Sequence, residues 1–338
     1  MTYREAIEFL HQLRWFGAKF GLENTLKLAA LAGNPHERLR FIHVAGTNGK
    51  GSTCAMLESI YRAAGVRTGL FTSPHLVAFG ERVQVNRRLI PESEVARLVE
   101  EVQNLVEQGW PKGSETHPTL FEVVTVMALR YFEEQECELV IWETGLGGRL
   151  DATNIVTPLA SVITNIEYDH QKWLGSTLAS IAAEKAGIIK RGVPVVTGAQ
   201  NPEALAVIQG RAREQAAPLT LVTLADAKQP PLDTLQLPLP GEHQRMNAAV
   251  ALATVHILAT PIPVGEEALR SGLLDLHWPG RLQWVTRPSG QRILLDGAHN
   301  PAGVEVLAAA LQEGALPKTA LSVLAMITRS PVSDQLST

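Results

Sequence analysis

Cysteine is nearly missing from this 338-residue chain. Cys54 and Cys137 stand alone, too few for a disulfide framework and without the spacing of a CxxC metal site; they read as buried thiols in a reducing compartment. Excess basic charge is missing too. The 30 Lys and Arg are outnumbered by 34 Asp and Glu, for a net charge of −4, which leaves no electrostatic footprint for nucleic acid. No run of 18 apolar residues occurs, and the longest candidate, 246–259, is interrupted by Asn247 and His256, so no membrane span is expected. Arg4 and Glu5 put charge where a signal peptide needs an apolar stretch. The expected compartment is the cytoplasm, with neither nucleic acid nor membrane as partner.

What is present is a sizeable apolar fraction, 45%, in a chain long for one domain and comfortable for two. Tyr3, Ile7, Leu10 and Leu13 repeat at helical spacing, and a second helix from about residue 24 ends at Gly33-Asn34-Pro35. Short apolar runs at 41–45, 69–72, 139–143, 160–164 and 194–197 then alternate with helical stretches at 53–64, 92–106, 121–134, 178–189 and 202–214. Strands separated by helices of this length predict an α/β fold, a mostly parallel sheet covered on both faces. A proline-rich stretch at 230–240 precedes a helix over 244–259, and a new βα pattern starts at 292–296 and 303–311.

Gly46-Thr47-Asn48-Gly49-Lys50-Gly51-Ser52-Thr53 follows the first strand and opens a helix. Such a loop turns backbone N–H groups inward, adds the helix N-terminus, and supplies a mobile positive charge at Lys50. Ser52 or Thr53 can reach a phosphate-bound magnesium ion. The strict GxxxxGK[ST] pattern fails, because Val44 stands where its first glycine should be and Gly51 separates Lys50 from Ser52. Ser73, Glu143 and His170 lie at or beyond the carboxyl ends of expected strands, where an open parallel sheet borders its ligand crevice. By residue type alone, Glu143 reads as a turn-capping carboxylate, His170 as a hydrogen-bonded structural histidine and Lys185 as one more solvated helix lysine.

The GTNGKGS loop, with 72–76, Glu81-Arg82-Val83, 143–154, Asp169-His170, 184–189, Arg281 and 296–301 in this order, resembles the dihydrofolate synthase/folylpolyglutamate synthase family, the folate branch of the muramyl ligases. Phe16-Gly17, Gly21-Leu22 and 33–35 add to it. The resemblance implies a large P-loop domain over 1–279 and a second, Rossmann-like α/β domain from 280, in a monomer. It implies ATP and Mg2+ as cofactors, with Asn48, Gly49, Lys50, Gly51, Ser52, Thr53, Asn247, Arg281, Asp296 and His299 on the nucleotide. It assigns Ser73, Glu143, His170 and Lys185 to magnesium, Lys185 as a carbamate, and catalysis to Lys50, Lys185, His170 and Glu143. The pterin pocket falls on Lys19, Phe20, Gly21, Leu22, Thr119, Leu120, Phe121, Glu122, Leu150, Asp151 and Ala152. Phe121 offers a flat apolar face and Asp151 an acceptor for the pterin's amino edge.

The implied reaction joins L-glutamate to dihydropteroate or folates through an acyl phosphate, and Arg149-Leu150-Asp151 resembles members that use both acids. Alternatives are a peptidoglycan-type ligase, a P-loop ATPase and a non-catalytic nucleotide binder. Fewer than 60 residues follow position 279, where a domain of this type needs over ~100, and 327–338 form a polar tail unlike the family. The expectation is an incomplete second domain and an impaired catalyst.

Overall fold

The computed structural model describes residues 1–13, 21–111, 116–312 and 322–325. Phe16, Gly17, Lys19, Phe20 and the tail 327–338 lie outside the described residues. Helix α1 (Tyr3–Gln12) starts with a capping box between Thr2 and Glu5. Helix α2 (Glu23–Leu31) stops where Gly33 and Asn34 take φ of 84° and 54°. The sheet then begins with β1 (Phe41–Ala45), α3 (Lys50–Ala63) and β2 (Thr68–Phe71). A hairpin follows, β3 (Val83–Val85) and β4 (Arg88–Leu89), turned by Asn86 and Arg87, both at positive φ. The chain continues through α4 (Glu92–Gly109), α5 (Leu120–Glu134), β5 (Leu139–Glu143), β6 (Ala160–Ile163), α6 (Gln171–Leu174) and α7 (Leu178–Ala186). Then come β7 (Val195–Thr197), α8 (Pro202–Glu214), β8 (Leu219–Leu221), α9 (Glu242–Ile257) and α10 (Glu266–Leu274).

The strand order is β4-β3-β2-β5-β1-β6-β7-β8, parallel from β2 to β8 with the antiparallel hairpin at one edge. Every residue of β1 and β5 is buried, because helices cover both faces. Phe41, Phe71 and Trp142 face one core with α1, α2, α4 and α5; Ile42, Val44, Leu70 and Ile141 face the other with α3, α9 and α10. Helix α10 crosses α3 so closely that a Cβ on Gly272 would lie 2.5 Å from the Ile60 Cα. Parallel strands put the carboxyl ends of β1, β2, β5 and β6 on one edge, and the loops leaving that edge carry the site.

A smaller sheet is built from β9 (Gln283–Thr286), β10 (Arg292–Asp296) and β11 (Ser322–Ala325), with α11 (Pro301–Gln312) between the last two. Strand β10 is antiparallel to β9 and parallel to β11. Among the described residues no helix is long and apolar enough to cross a membrane.

Candidate active site

The glycine loop leaves β1 with Gly46 at φ 150° and Gly49 at φ 83°, and the latter caps α3. Its backbone is held from the β6–α6 loop: Thr47 N donates to Asn165 O (2.9 Å), Asn48 N to Asn165 Oδ1 (2.7 Å), and Thr164 Oγ1 to Asn48 O (2.7 Å). A Cβ on Gly49 would sit 2.3 Å from Asn247 Oδ1, so only glycine lets α9 approach here. Lys50 Nζ donates to Gly46 O (3.0 Å) and Thr47 O (3.2 Å). The buried hydroxyls of Ser52 and Thr53 have no hydrogen-bond partner among the described residues. Of the two, Ser52 lines the cleft at the helix N-terminus, beneath a glycine loop and a lysine, where its orphaned hydroxyl suits a phosphate and its cation.

Glu143 ends β5, 3% exposed, and its Oε2 accepts from Ser73 N (3.0 Å). Burial pushes its carboxyl up, against the opposing pull of Lys50 and Arg281; a divalent cation would supply the missing counter-charge. Among the described residues no three His, Cys, Asp or Glu side chains gather to hold a metal, so such a cation would need phosphate oxygens and water besides Glu143. His170, at φ 48°, is half exposed, and burial followed by nearby lysines outweighs Asp169 to lower its pKa.

Lys185 overturns its solvated reading. It is 4% exposed, and its Nζ donates to Gly46 O (2.8 Å), the carbonyl that also receives Lys50. Burial first and Lys50 second lower its pKa from 10.5 to about 7. The buried stripe of α7 is Leu178, Ile181, Ala182, Lys185 and Ala186, the i, i+3, i+4, i+7, i+8 pattern of an inward helix face. That spacing was the available signal.

One cleft of about 600 Å³ is lined by Asn48, Gly49, Lys50, Gly51, Ser52, Ser73, Glu143, His170, Lys185 and Asn247 from the large sheet's side. Arg281, Asp296 and His299 line it from the other. Asp296 accepts from Leu282 N (2.9 Å) and Ala298 N (2.8 Å), while Arg281 packs against Gly297 and donates to Gly280 O (2.9 Å). His299 Nδ1 donates to Gly297 O (2.8 Å), and its Nε2 lies 3.6 Å from Asp169 Oδ2, which raises its pKa. Asp169, Asn165 and His243 also line the cleft, and buried Asn300 bonds Asp169 from behind it; Asp169 and Asn300 stood in the sequence only as members of motif segments, with no role assigned.

Other expected residues lie elsewhere. Thr53 is buried behind the cleft wall rather than on it. Thr119 and Glu122 form the capping box of α5, which occupies the groups expected to meet a pterin. Gly21 and Leu22 enter α2, and α2, α5 and the 152–155 turn pack together, but Leu150, Asp151 and Ala152 do not reach the large cleft. Asp151 is 6% exposed and accepts from Gly145 N (3.0 Å), Leu146 N (2.8 Å), Thr153 N (3.0 Å) and Thr153 Oγ1. Because Thr153 Oγ1 donates there, it accepts from His43 Nε2 (2.9 Å) in β1. Asp151 therefore organises the 145–153 loop and has little acceptor capacity left for a ligand. Leu120 and Phe121 instead line a small recess with Leu10, His75, Phe79 and Arg82. The Phe121 ring also touches Gly145, which lines the cleft.

Comparison with known proteins adds an independent line. The Mur ligase middle domain family matches residues 44–255. The dihydrofolate synthase/folylpolyglutamate synthase of Bacillus subtilis (strain 168) is 41% identical over 334 residues, spanning 92% of this chain and 76% of its own. The folylpolyglutamate synthase of Lacticaseibacillus casei is 34% identical, over 93% of this chain and 77% of its own. Among solved structures, an FPGS–AMPPCP–folate complex superposes with a TM-score of 0.84 at 32% identity, over 94% of this chain and 82% of that one.

Proposed function

The chain belongs to the dihydrofolate synthase/folylpolyglutamate synthase family of Mur-type ligases, and we propose that it adds L-glutamate to a folate carboxylate using ATP and magnesium. The observation that carries this reading is the single cleft in which the phosphate loop and Lys50, Glu143 and Lys185 face Arg281, Asp296 and His299. A complex of a relative with AMPPCP and folate supports the same pair of ligands.

A carboxylate resists attack by an amine because it is a poor electrophile. Transfer of the γ-phosphoryl group of ATP gives the acid a phosphate leaving group, and the glutamate nitrogen then displaces it to form the amide. Lys50 would leave Gly46 O and Thr47 O for the phosphates, where its charge offsets the charge that develops in transfer. Arg281 would approach from the second unit, and with 1–279 and 280–338 as two units, closure across the cleft would exclude water. Ser73, Glu143, His170 and a carbamylated Lys185 would hold magnesium, which when bound supplies Lewis-acid charge at the phosphates. The neutral Lys185 amine adds to CO2 and releases a proton, replacing a disfavoured buried cation with a metal-binding anion.

We also propose dihydropteroate as an acceptor, supported by the Arg149-Leu150-Asp151 segment and by the double name of the Bacillus subtilis relative. The pterin ring would lie against Phe121 where that ring meets Gly145 at the edge of the large cleft. The test is ADP release measured with each acid, with and without L-glutamate, and the product mass determined. Amide appearing only when acid, glutamate and ATP are all present is expected. ADP formation independent of both acid and glutamate would instead identify an ATPase.

A further inference from the structure

Asn300 belongs to the Asp296–Pro301 motif segment, yet nothing in the reaction outlined above uses it. It is 6% exposed, and all four hydrogen-bonding positions of its amide are filled. Oδ1 accepts from Asn48 Nδ2 (3.2 Å) and from Gly303 N (2.9 Å). Nδ2 donates to Asn48 Oδ1 (2.9 Å) and to Asp169 Oδ2 (3.1 Å). One side chain thus caps α11, pairs face to face with the amide of a phosphate-loop residue 252 positions away, and bonds the β6–α6 loop.

We infer that Asn300 is a positioning residue that clasps the second unit onto the phosphate loop, setting Asn48 and the neighbouring His299 in register before phosphoryl transfer. The inference rests on the ligase reading only for its consequence in turnover. The geometry is specific to an amide. Asn48 needs both a donor and an acceptor from its partner, and Asp169 needs a donor, so neither a hydroxyl nor a carboxylate at position 300 satisfies all three contacts. A residue needed only as a helix cap would not, because aspartate caps as well as asparagine. Asp169 in turn holds His299 at 3.6 Å, so the clasp reaches a residue that lines the cleft.

Asn300→Asp separates these roles: it keeps the cap on Gly303 N, so α11 still starts at the same residue, but removes both donors and sets a carboxylate against Asp169. Three quantities are read in parent and variant: amide formed, phosphate released per amide, and hydrogen exchange of segments 46–50 and 296–303 in the ligand-free protein. Expected are a loss of amide turnover on the order of 10- to 100-fold, more than one phosphate released per amide as acyl phosphate meets water, and several-fold faster exchange in both segments. Combining Asn300→Asp with Asn48→Ala should cost less turnover than the product of the two single losses, since the Asn48–Asn300 contact is shared while the Asp169 contact lies outside it. Exchange and phosphate ratio equal to the parent's would overturn the clasp. A parent chain that makes no amide would remove the ligase reading, and the exchange measurement would still decide the clasp by itself.

Discussion

Replacing Lys185 by alanine removes an amine that the fold keeps both buried and, near pH 7, substantially neutral. With its pKa lowered to about 7, half of this amine is unprotonated at pH 7, roughly 1,000-fold more than an ordinary lysine near 10.4. That fraction is what CO2 can react with. The sign of the pH effect follows: as pH falls through about 7 the amine protonates, carbamate is lost and turnover drops on the acid side. Stability moves in the same direction. Between 7 and 10.5 the unfolded chain holds the extra proton, so the fold gains stability as pH rises through that window, by at most about 4–5 kcal/mol. Lys185→Ala should abolish that slope and lower turnover on the order of 100- to 1,000-fold, the usual size of losing one preorganised electrostatic group. Acetate or formate, entering the space left by the side chain, should restore part of the rate. The assay is amide formation across pH, with 13C-bicarbonate NMR of the parent to observe the carbamate. Parent-like turnover in the variant, or a parent with no carbamate signal, would refute the reasoning.

Lys50→Ala should reduce ADP formation by on the order of 100-fold or more while shifting the thermal midpoint little, since the Lys50 Nζ hydrogen bonds among the described residues go to two loop carbonyls; ADP formation at the parent rate would remove the phosphate loop from the reaction. Asp151→Ala should destabilise the fold by about 2–4 kcal/mol in urea unfolding, because it strands the N–H groups of Gly145, Leu146 and Thr153. A loss below about 1 kcal/mol with selectively impaired pterin use would return Asp151 to the pterin edge.

Much of the large sheet was legible because parallel strands buried on both faces appear as unbroken apolar runs; β1 and β5 fall on their expected residues. The β3–β4 hairpin was not, since its turn uses Asn86-Arg87 rather than a glycine pair, and β8 and β9 are short and partly exposed. The phosphate loop and Glu143 announced themselves through glycine spacing and strand ends. Lys185 was hidden by its residue type although its helical position marked it as inward. The part Asp151 plays in the 145–153 loop was not legible, because most of its partners are backbone amides, which side-chain chemistry does not display. Asn300 could not be placed from local pattern at all, as its contacts come from residues 131 and 252 positions away.

The most direct test of carboxylate activation in this cleft is an isotope transfer. The folate side-chain carboxylate is labelled with 18O and incubated with the chain, ATP, magnesium and L-glutamate, and the released phosphate is analysed by mass. One 18O in each phosphate released with amide is expected, because the oxygen bridging carbon and phosphorus leaves with phosphorus. Amide formed with unlabelled phosphate would contradict an acyl-phosphate route.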